Sequence, residues 1–204
     1  MTELFDRLSA NQRRSQLIAA ASEVFILRGY HMATVREISR RAGVTKPLIY
    51  RHFSSKLDLY QTVLQNHLDD LVAGVRSALH SFSDNHSRTR AVVQAYFDFV
   101  DHESQGFRMI FESGMTAEPT IQWRLSQAHE ACVDAVFEGL AEASAVAPLH
   151  ARVLAAGLVG ASEVTARAWL EDGRPVSKTE AVDTVVFLCW SGLSEVSRGL
   201  RIQH

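Results

Sequence analysis

Residues Thr34 to Lys56 read TVREISRRAGVTKPLIYRHFSSK and contain two short helical patterns on either side of a glycine. In the first pattern apolar residues recur on one helical face, at Val35, Ile38 and Ala42. Thr34 stands where a side-chain oxygen caps the first exposed N–H groups of a helix. Gly43 stands where the chain must adopt a positive φ to leave that helix. The sequence therefore predicts a helix, a tight turn and a second helix.

The second helical pattern follows Thr45, which offers another cap, and Pro47 fits only in a first helical turn. Ile49 and Phe53 form a narrow stripe that we expect to be buried. The outward positions are then Lys46, Pro47, Leu48, Tyr50, Arg51 and His52. A helix of this width fits the major groove of B-DNA, where Arg bonds guanine and apolar side chains touch thymine methyl groups. We predict that this second helix reads DNA.

Direct base contacts are predicted for Leu48 and Arg51, which are three residues apart and share one helical face. Contacts to phosphate are predicted for Tyr50, His52 and Lys56. Two arginines at the start of helix one are placed to reach phosphate or a minor groove, with a solvated surface as the alternative. The predicted DNA-binding set is Arg13, Arg14, Thr34, Arg36, Thr45, Lys46, Pro47, Leu48, Tyr50, Arg51, His52 and Lys56.

The segment from Gly29 to Leu64 resembles the tetracycline-repressor (TetR) family of bacterial regulators. The resemblance rests on a Gly-Tyr ending of helix one, the glycine turn, Tyr-x-His-Phe and the lysine that follows, within a similar region from Gln12 to His67. It implies a double-stranded DNA operator as partner, a homodimer formed through the final two helices, and an effector bound among the body helices. The family's body domains vary widely, so it assigns no effector residue.

The charge of the chain is unevenly distributed. Met1 to Lys56 contains ten Lys and Arg against four Asp and Glu, a balance of +6. Because the whole chain of 204 residues carries −2, the remainder carries −8. A basic N-terminal domain on an acidic body is typical of DNA binding at one end. The 47% apolar and 22% charged composition is that of an ordinary globular protein of one or two domains.

Membrane and secretion signals are not expected from the sequence. Met1 to Arg14 contains acids and no apolar run, unlike a signal peptide. The longest charge-free apolar stretches, Val153 to Ser162 and Thr184 to Ser194, are well short of the ~20 residues that span a bilayer. We therefore expect a soluble, cytoplasmic protein with no membrane partner. Cys132 and Cys189 are interpreted as small buried hydrophobes, with a redox switch as the alternative.

Beyond Lys56 the apolar spacing is helical throughout. A long helix is predicted to about Phe82, with a break at Ser83 to Ser87. The predicted body helices are Thr89 to His102, Phe107 to Glu112, Thr120 to Ala143, Leu149 to Glu171 and Lys178 to Leu200. The predicted fold is all-α, with an N-terminal three-helix helix-turn-helix DNA-binding domain (1–56, connecting helix about 56–82) and a C-terminal helical effector-binding and dimerisation domain (57–204).

The last two predicted helices are apolar on more than one face and contain many small residues. A helix of that kind must be buried on more than one face, and small residues allow a partner's identical helices to approach closely. The predicted dimer interface is Ala156, Gly160, Ala161, Val164, Cys189, Gly192, Leu193 and Val196. The alternative is that these are central helices of a monomer.

The middle of the body is rich in aromatic residues and Met. Such stripes are either plain core or core that also lines a pocket for an apolar effector, and the residues alone leave both open. The candidate effector-binding residues are Phe97, Val100, Phe107, Phe111, Met115, Trp123, His129 and Cys132. An acyl chain, free or as an acyl-CoA, is one such effector, with Arg108 or Arg124 available for an anionic head group.

No enzyme, cofactor or metal motif is present in the sequence, and the nine His residues are scattered without metal-ligand spacing. We therefore predict no catalytic residue, no cofactor and no metal. The predicted function is a sequence-specific transcriptional regulator, a ligand-responsive repressor that binds a palindromic operator as a homodimer. The alternatives are a regulator controlled only by its abundance, and an enzyme or ligand carrier with a vestigial DNA-binding domain.

Overall fold

The computed structural model describes residues 10–101, 115, 117–143 and 147–199, with the side chains of residues 10, 140–143 and 192–199 left outside the description. In these ranges the chain forms helices and no strand, which confirms the all-α prediction. The helices are α1 (Ala10–Met32), α2 (Val35–Ala42), α3 (Lys46–His52), α4 (Lys56–His80), α5 (Asn85–Asp101), α6 (Pro119–Ala143), α7 (Pro148–Glu171) and α8 (Lys178–Gly199).

The turns around α2 form as the sequence predicts. Gly29 interrupts α1 with φ 68°, and the last helical turn continues beyond it to Met32. The Thr34 hydroxyl accepts a hydrogen bond from the Glu37 N–H at 3.1 Å and caps α2. Gly43 ends α2 in the left-handed region, with φ 69° and ψ 29°. A side chain at this φ would be strained, so the glycine sets the direction in which α3 departs.

Helices α4 and α5 begin at side-chain caps. At the start of α4 the Asp58 N–H donates to the Ser55 hydroxyl, while the Asp58 carboxylate accepts from the Ser54 N–H. At the start of α5 the Ser87 N–H donates to the Asp84 carboxylate at 2.8 Å. That cap explains why α5 begins at Asn85, four residues before the predicted Thr89. The predicted helix from Phe107 to Glu112 lies outside the described residues.

The chain divides into two compact units, Met1–Leu68 with Ser104–Arg124, and Asp69–Glu103 with Leu125–His204. In the first unit α1, α2 and α3 pack together around buried side chains that include Leu17, Phe25, Ile38, Ile49 and Phe53. The rings of Phe25, Tyr30 and Tyr60 contact one another, with Phe25 and Tyr60 edge to face at 5.1 Å. This aromatic cluster joins the first turn of α4 to the end of α1, and the functional division predicted at Lys56 stays a prediction.

In the second unit α5, α7 and α8 pack against one another. The buried side chains of this unit include Val92, Phe97, Val159, Trp169 and Val182. An ion-pair network joins the end of α5 to the α7–α8 turn: Lys178 contacts Asp98 and Asp101 at 2.9 Å, and Arg174 contacts Asp101 at 3.1 Å. The turn itself contains Gly173 and Arg174 with φ 75° and 61°.

Helix α7 is long and apolar enough to cross a bilayer by length and composition, with a mean hydropathy of 1.2 over its most apolar stretch and 33% of that stretch buried. One such helix is weak evidence for a membrane span, because a core helix of a soluble protein has the same composition. The helix also contains Arg152 and Arg167, which form ion pairs, and Glu163, which contacts His129 at 3.1 Å.

Candidate functional site

Helix α3 presents the surface predicted to read DNA. Its two inward residues, Ile49 and Phe53, are 1% and 2% exposed, as the sequence predicts. Lys46, Pro47, Tyr50 and Arg51 are exposed, while Leu48 and His52 are half-buried. Arg14 lies over the Phe53 ring at 5.1 Å, so the start of α1 is held at the end of α3.

Two acids of this unit form ion pairs with cations outside α3. Glu37 pairs with Arg28 at 3.4 Å, and Glu23 pairs with Arg41. By contrast Arg36, Lys46 and Arg51 form no ion pair with any residue in the described part of the chain. Nothing in the sequence marks this difference, because Glu23 and Arg41 are separated by 18 residues. The result is a set of uncompensated cations on α3 and at the start of α2.

Lys56 has a structural role that the sequence did not predict. Its ammonium donates to the Tyr30 and Ala33 carbonyls at 2.8 and 3.0 Å and lies 4.3 Å from the centre of the Tyr30 ring. Tyr30 lies in the last turn of α1 and Ala33 directly follows it, and a cation at a helix C-terminus satisfies otherwise unpaired acceptors. Lys56 thus links the start of α4 to the end of α1, and its predicted contact to phosphate stays a prediction.

The prediction that Thr45 caps α3 is wrong, because its side chain makes no capping hydrogen bond. A cap needs the N–H of the second or third residue of the helix. Here the second residue, Pro47, has no N–H, and the Leu48 N–H already donates to the Thr45 carbonyl at 3.1 Å. The exposed Thr45 hydroxyl is therefore left out of the helix start.

The predicted effector residues fall in both units. Phe97, Val100 and Cys132 lie in the second unit and are at most 4% exposed, so they are core residues of the body. Phe97 packs against Trp169 with ring centres 5.4 Å apart. Met115 is buried in the first unit. Phe107 and Phe111 lie outside the described residues. An effector pocket therefore stays a prediction.

Trp123 is 61% exposed, so it is not a core residue, and its contact with an effector stays a prediction. The physical reason for its exposure is helical periodicity: the buried face of α6 contains Ile121, Ala128 and Cys132, and Trp123, two residues after Ile121, points to the opposite side.

Polar side chains of the second unit meet beside the buried Cys132. The Tyr96 hydroxyl forms a hydrogen bond with the Cys132 thiol, and burial raises the pKa of both groups. His129, one turn earlier on α6, lies 3.1 Å from the Glu163 carboxylate on α7. His129 is thus already paired with an acid, a contact between residues 34 apart that the sequence did not indicate.

Two depressions are formed by described residues. A groove of about 420 Å³ between α1 and α2 is lined mainly by charged side chains, Glu23, Arg28, Glu37, Arg40 and Arg41, with Val24 and Leu27. A void of about 10 Å³ in the second unit lies beside Leu79, Val136 and Leu158. The groove is too charged and the void too small for an apolar effector.

The residues predicted to form a dimer interface lie on α7 and α8, and α7 has an exposed apolar stripe. Large apolar side chains on that stripe include Leu149, 84% exposed, and Val153 and Val164, also exposed, and on α8 Phe187 is 75% exposed. Ala156 lies on the same stripe and is exposed, whereas Gly160, Ala161 and Cys189 are half-buried. The other face of α7 is buried within the chain. Gly192, Leu193 and Val196 lie in α8 with their side chains outside the description.

Comparison with known proteins matches both parts of the chain to one family. Residues 17–63 match the family described as "Bacterial regulatory proteins, tetR family", and residues 85–192 match "Tetracyclin repressor-like, C-terminal domain". A relative, the HTH-type transcriptional activator FasR of Mycolicibacterium smegmatis, is 51% identical over 94% of this chain and 87% of its own length.

Solved structures with the same fold extend over most of the chain. A tetR-family transcriptional regulator from Streptomyces coelicolor is 27% identical, with a TM-score of 0.76 over 93% of this chain and 84% of its own. The transcriptional regulator FadR from Bacillus subtilis, solved in complex with stearoyl-CoA, has a TM-score of 0.72 over 87% of this chain and 98% of its own, at 18% identity. Both domains therefore have their counterparts in one family, and the chain belongs to the TetR family of DNA-binding transcriptional regulators.

Proposed function

We propose that this regulator acts in the cytoplasm as a homodimer that reads a palindromic operator with α3, and that a small apolar effector, an acyl chain or acyl-CoA, controls its DNA affinity. The observation that carries the DNA-reading part is the group of exposed cations on α3 and α2. Arg36, Lys46 and Arg51 have no acidic partner in the described ranges, while Arg28 and Arg41 of the same unit are paired. Unpaired cations are available to phosphates and guanines without first breaking an ion pair.

The first experiment selects bound sequences from random DNA and then titrates the selected operator with variants. Arg51→Ala is expected to lower operator affinity by ~1–3 kcal/mol and to relax the preference at one base pair. Lys46→Ala is expected to weaken binding to all sequences and to reduce the salt slope by about one. The matched control is Arg28→Ala, since that arginine is paired with Glu37. If Arg28→Ala weakens operator binding as much as Arg51→Ala, the assignment of α3 is overturned.

The dimer proposal rests on the exposed apolar stripe of α7 together with Phe187 and Leu188 of α8. A second copy of the chain would cover this stripe, and a two-fold dimer presents two α3 helices to DNA. The operator is then expected to be palindromic, with half-sites about one helical turn, ~34–36 Å, apart or a multiple of that. A selected operator that has no two-fold symmetry would contradict the proposed dimer.

The effector proposal is supported by the apolar composition of the body and by the stearoyl-CoA bound to the FadR structure that shares the fold. The effector must bind the DNA-competent and incompetent dimers unequally, and a tenfold change in operator affinity requires ~1.4 kcal/mol of such coupling. The test measures operator affinity with fatty acids, acyl-CoA thioesters and hydrophobic drugs. If none of them alters it, the regulator controlled by abundance replaces this proposal.

Two candidate functions, repressor and activator, differ in whether DNA binding lowers or raises transcription. The family description of residues 85–192 names a repressor, in line with the sequence-based prediction, whereas the 51% identical relative is named an activator. In vitro transcription from a promoter that contains the selected operator distinguishes them, because a repressor lowers and an activator raises transcript yield.

A further inference from the structure

Arg124 on α6 has a buried donor without an acceptor. Its Nε is one of two buried side-chain polar atoms with no hydrogen-bond partner in the described part of the chain, and the other, Asn85 Oδ1, is neutral. The guanidinium forms no ion pair with a described residue, and its Nη1 donates only to the neutral Gln65 amide oxygen on α4, at 2.6 Å. A buried cationic donor is normally paired with an acceptor, because a buried donor without a hydrogen bond destabilises the folded protein.

The two acids nearest along the chain, Glu118 and Glu130, are used for other purposes, and Glu130 pairs with Arg152 at 2.7 Å. Glu118 precedes α6, accepts from the Ile121 N–H at 3.0 Å and also accepts from the Thr120 hydroxyl. The hydrogen bond from Thr120 lowers the pKa of Glu118, so this carboxylate is committed to the start of the helix. Thr120 in turn accepts from the Gln61 amide. On α4 the contacts with this part of α6 are thus made by two uncharged amides one helical turn apart, Gln61 to Thr120 and Gln65 to Arg124.

The same unit contains buried apolar residues on α4 and at the start of α6, the two helices that Arg124 and Gln65 connect. Leu64 and Leu68 on α4, Ile121 on α6, and Met115 before it are all at most 8% exposed. A guanidinium whose Nη1 is occupied still has Nε–H and Nη2–H, which point in parallel and match two oxygens of a carboxylate or phosphate. A surrounding of low dielectric constant strengthens the attraction of such a fork for an anion.

We propose that Arg124, held by Gln65, binds the anionic group of an amphipathic effector, a carboxylate or a phosphate attached to an apolar chain. This inference rests on the proposed control by an effector and specifies the chemistry of the effector's head group. Arg124 and Gln65 belong to the unit that contains α1, α2 and α3, so the anion is received within the DNA-reading unit itself. An anion there would stabilise the junction of α4 and α6, and α4 begins at Lys56, which is fastened to the end of α1.

The test uses the full-length protein and three ligands with the same chain: laurate, lauroyl-CoA and uncharged 1-dodecanol. The dissociation constants are measured by intrinsic tryptophan fluorescence for the wild type, Arg124→Gln and Arg124→Lys, with Arg152→Gln as control because Arg152 is a surface cation paired with Glu130 and Asp134. Arg124→Gln is expected to lose roughly tenfold or more in affinity for the anionic ligand and little for dodecanol. Arg124→Lys is expected to retain part of the anion preference, and the control all of it.

The pattern among ligands identifies the anion. A loss for laurate indicates carboxylate recognition, and a loss confined to lauroyl-CoA indicates phosphate. If Arg124→Gln loses affinity equally for all three ligands, or for none of them, the inference is overturned. The proposed control by an effector is not affected by that outcome. If the wild type binds no acyl compound, both the acyl effector and this inference fail.

A second variant guards against a misfolded Arg124→Gln protein. Gln65→Glu places a carboxylate opposite Arg124 and thereby supplies the anion from within the chain. This variant is expected to have a higher Tm than the wild type and to lose the preference for laurate or lauroyl-CoA over dodecanol. A lower Tm with an unchanged preference contradicts the proposed site.

Discussion

Two threonines precede helices of the DNA-reading unit, and only one of them caps a helix. The Thr34 hydroxyl accepts from the Glu37 N–H, whereas the Thr45 side chain makes no capping bond. Thr34→Ala is therefore expected to lower the free energy of unfolding by ~1 kcal/mol, and Thr45→Ala to leave it almost unchanged. Urea denaturation of both variants checks this difference. A comparable loss in Thr45→Ala would show that its hydroxyl is needed for folding.

Lys56 and Arg51 are both cations of the DNA-reading unit, but Lys56 is hydrogen-bonded to backbone carbonyls and Arg51 is exposed. Lys56→Met removes the hydrogen bonds to the Tyr30 and Ala33 carbonyls and is expected to lower the unfolding free energy by about 1–3 kcal/mol. Arg51→Ala removes no contact of this kind and is expected to change it by less than about 0.5 kcal/mol. Thermal unfolding, measured without DNA, separates the two. Equal stability of the two variants would return Lys56 to a purely DNA-contacting role.

At the scale of helices, the network at the end of α5 predicts a pH dependence. The hydrogen bond from Lys178, aided by Arg174, holds the pKa of Asp101 below its ordinary value of 3.8. Its stabilisation is complete above that value and is lost as the pH falls through the folded pKa. Hydrogen bonds to Asp98 and Asp101 raise the pKa of Lys178 above 10.5, so its contribution is complete below 10.5 and is lost at higher pH.

Asp101→Asn is accordingly expected to be less stable than the wild type at pH 7 and to lose less stability when acidified below about pH 4. The measurement is the urea midpoint between pH 3 and pH 7. Asp70→Asn, at an exposed position of α4, is the control and is expected to follow the wild type. Parallel curves for wild type and Asp101→Asn would contradict the role of this network.

Helix boundaries were predictable where apolar spacing and glycines define them, as in α2, α7 and α8. The start of α5 was misplaced because Asp84 and Asn85 were interpreted as loop residues, although the same side chains also cap helices. The role of Lys56 was not predictable, since its partners lie 26 and 23 residues away. Sequence spacing carries information about contacts within a helix, and almost none about which distant carbonyl a lysine reaches.

For the whole molecule, the small residues of α7 provide a test of the proposed dimer. A Cβ added at Gly160 or at Gly74 meets nothing within 4 Å. Both alanine substitutions should therefore stabilise their own helices by about 0.5–1 kcal/mol. If a partner approaches closely at Gly160, Gly160→Ala weakens dimerisation and Gly160→Glu abolishes it, while Gly74→Ala leaves it unchanged. Sedimentation and operator binding measure both effects, and a dimeric Gly160→Glu variant would remove this face from the interface.

The exposed apolar stripe of α7 also links folding to mass action. If association covers the stripe, the folded dimer gains stability as the protein becomes more concentrated, and Tm rises with concentration. Chains made at low copy number then spend more time as monomers that expose Leu149 and Val153, which chaperones and proteases recognise. The amount of regulator in the cell would thereby set its lifetime as well as its occupancy of the operator.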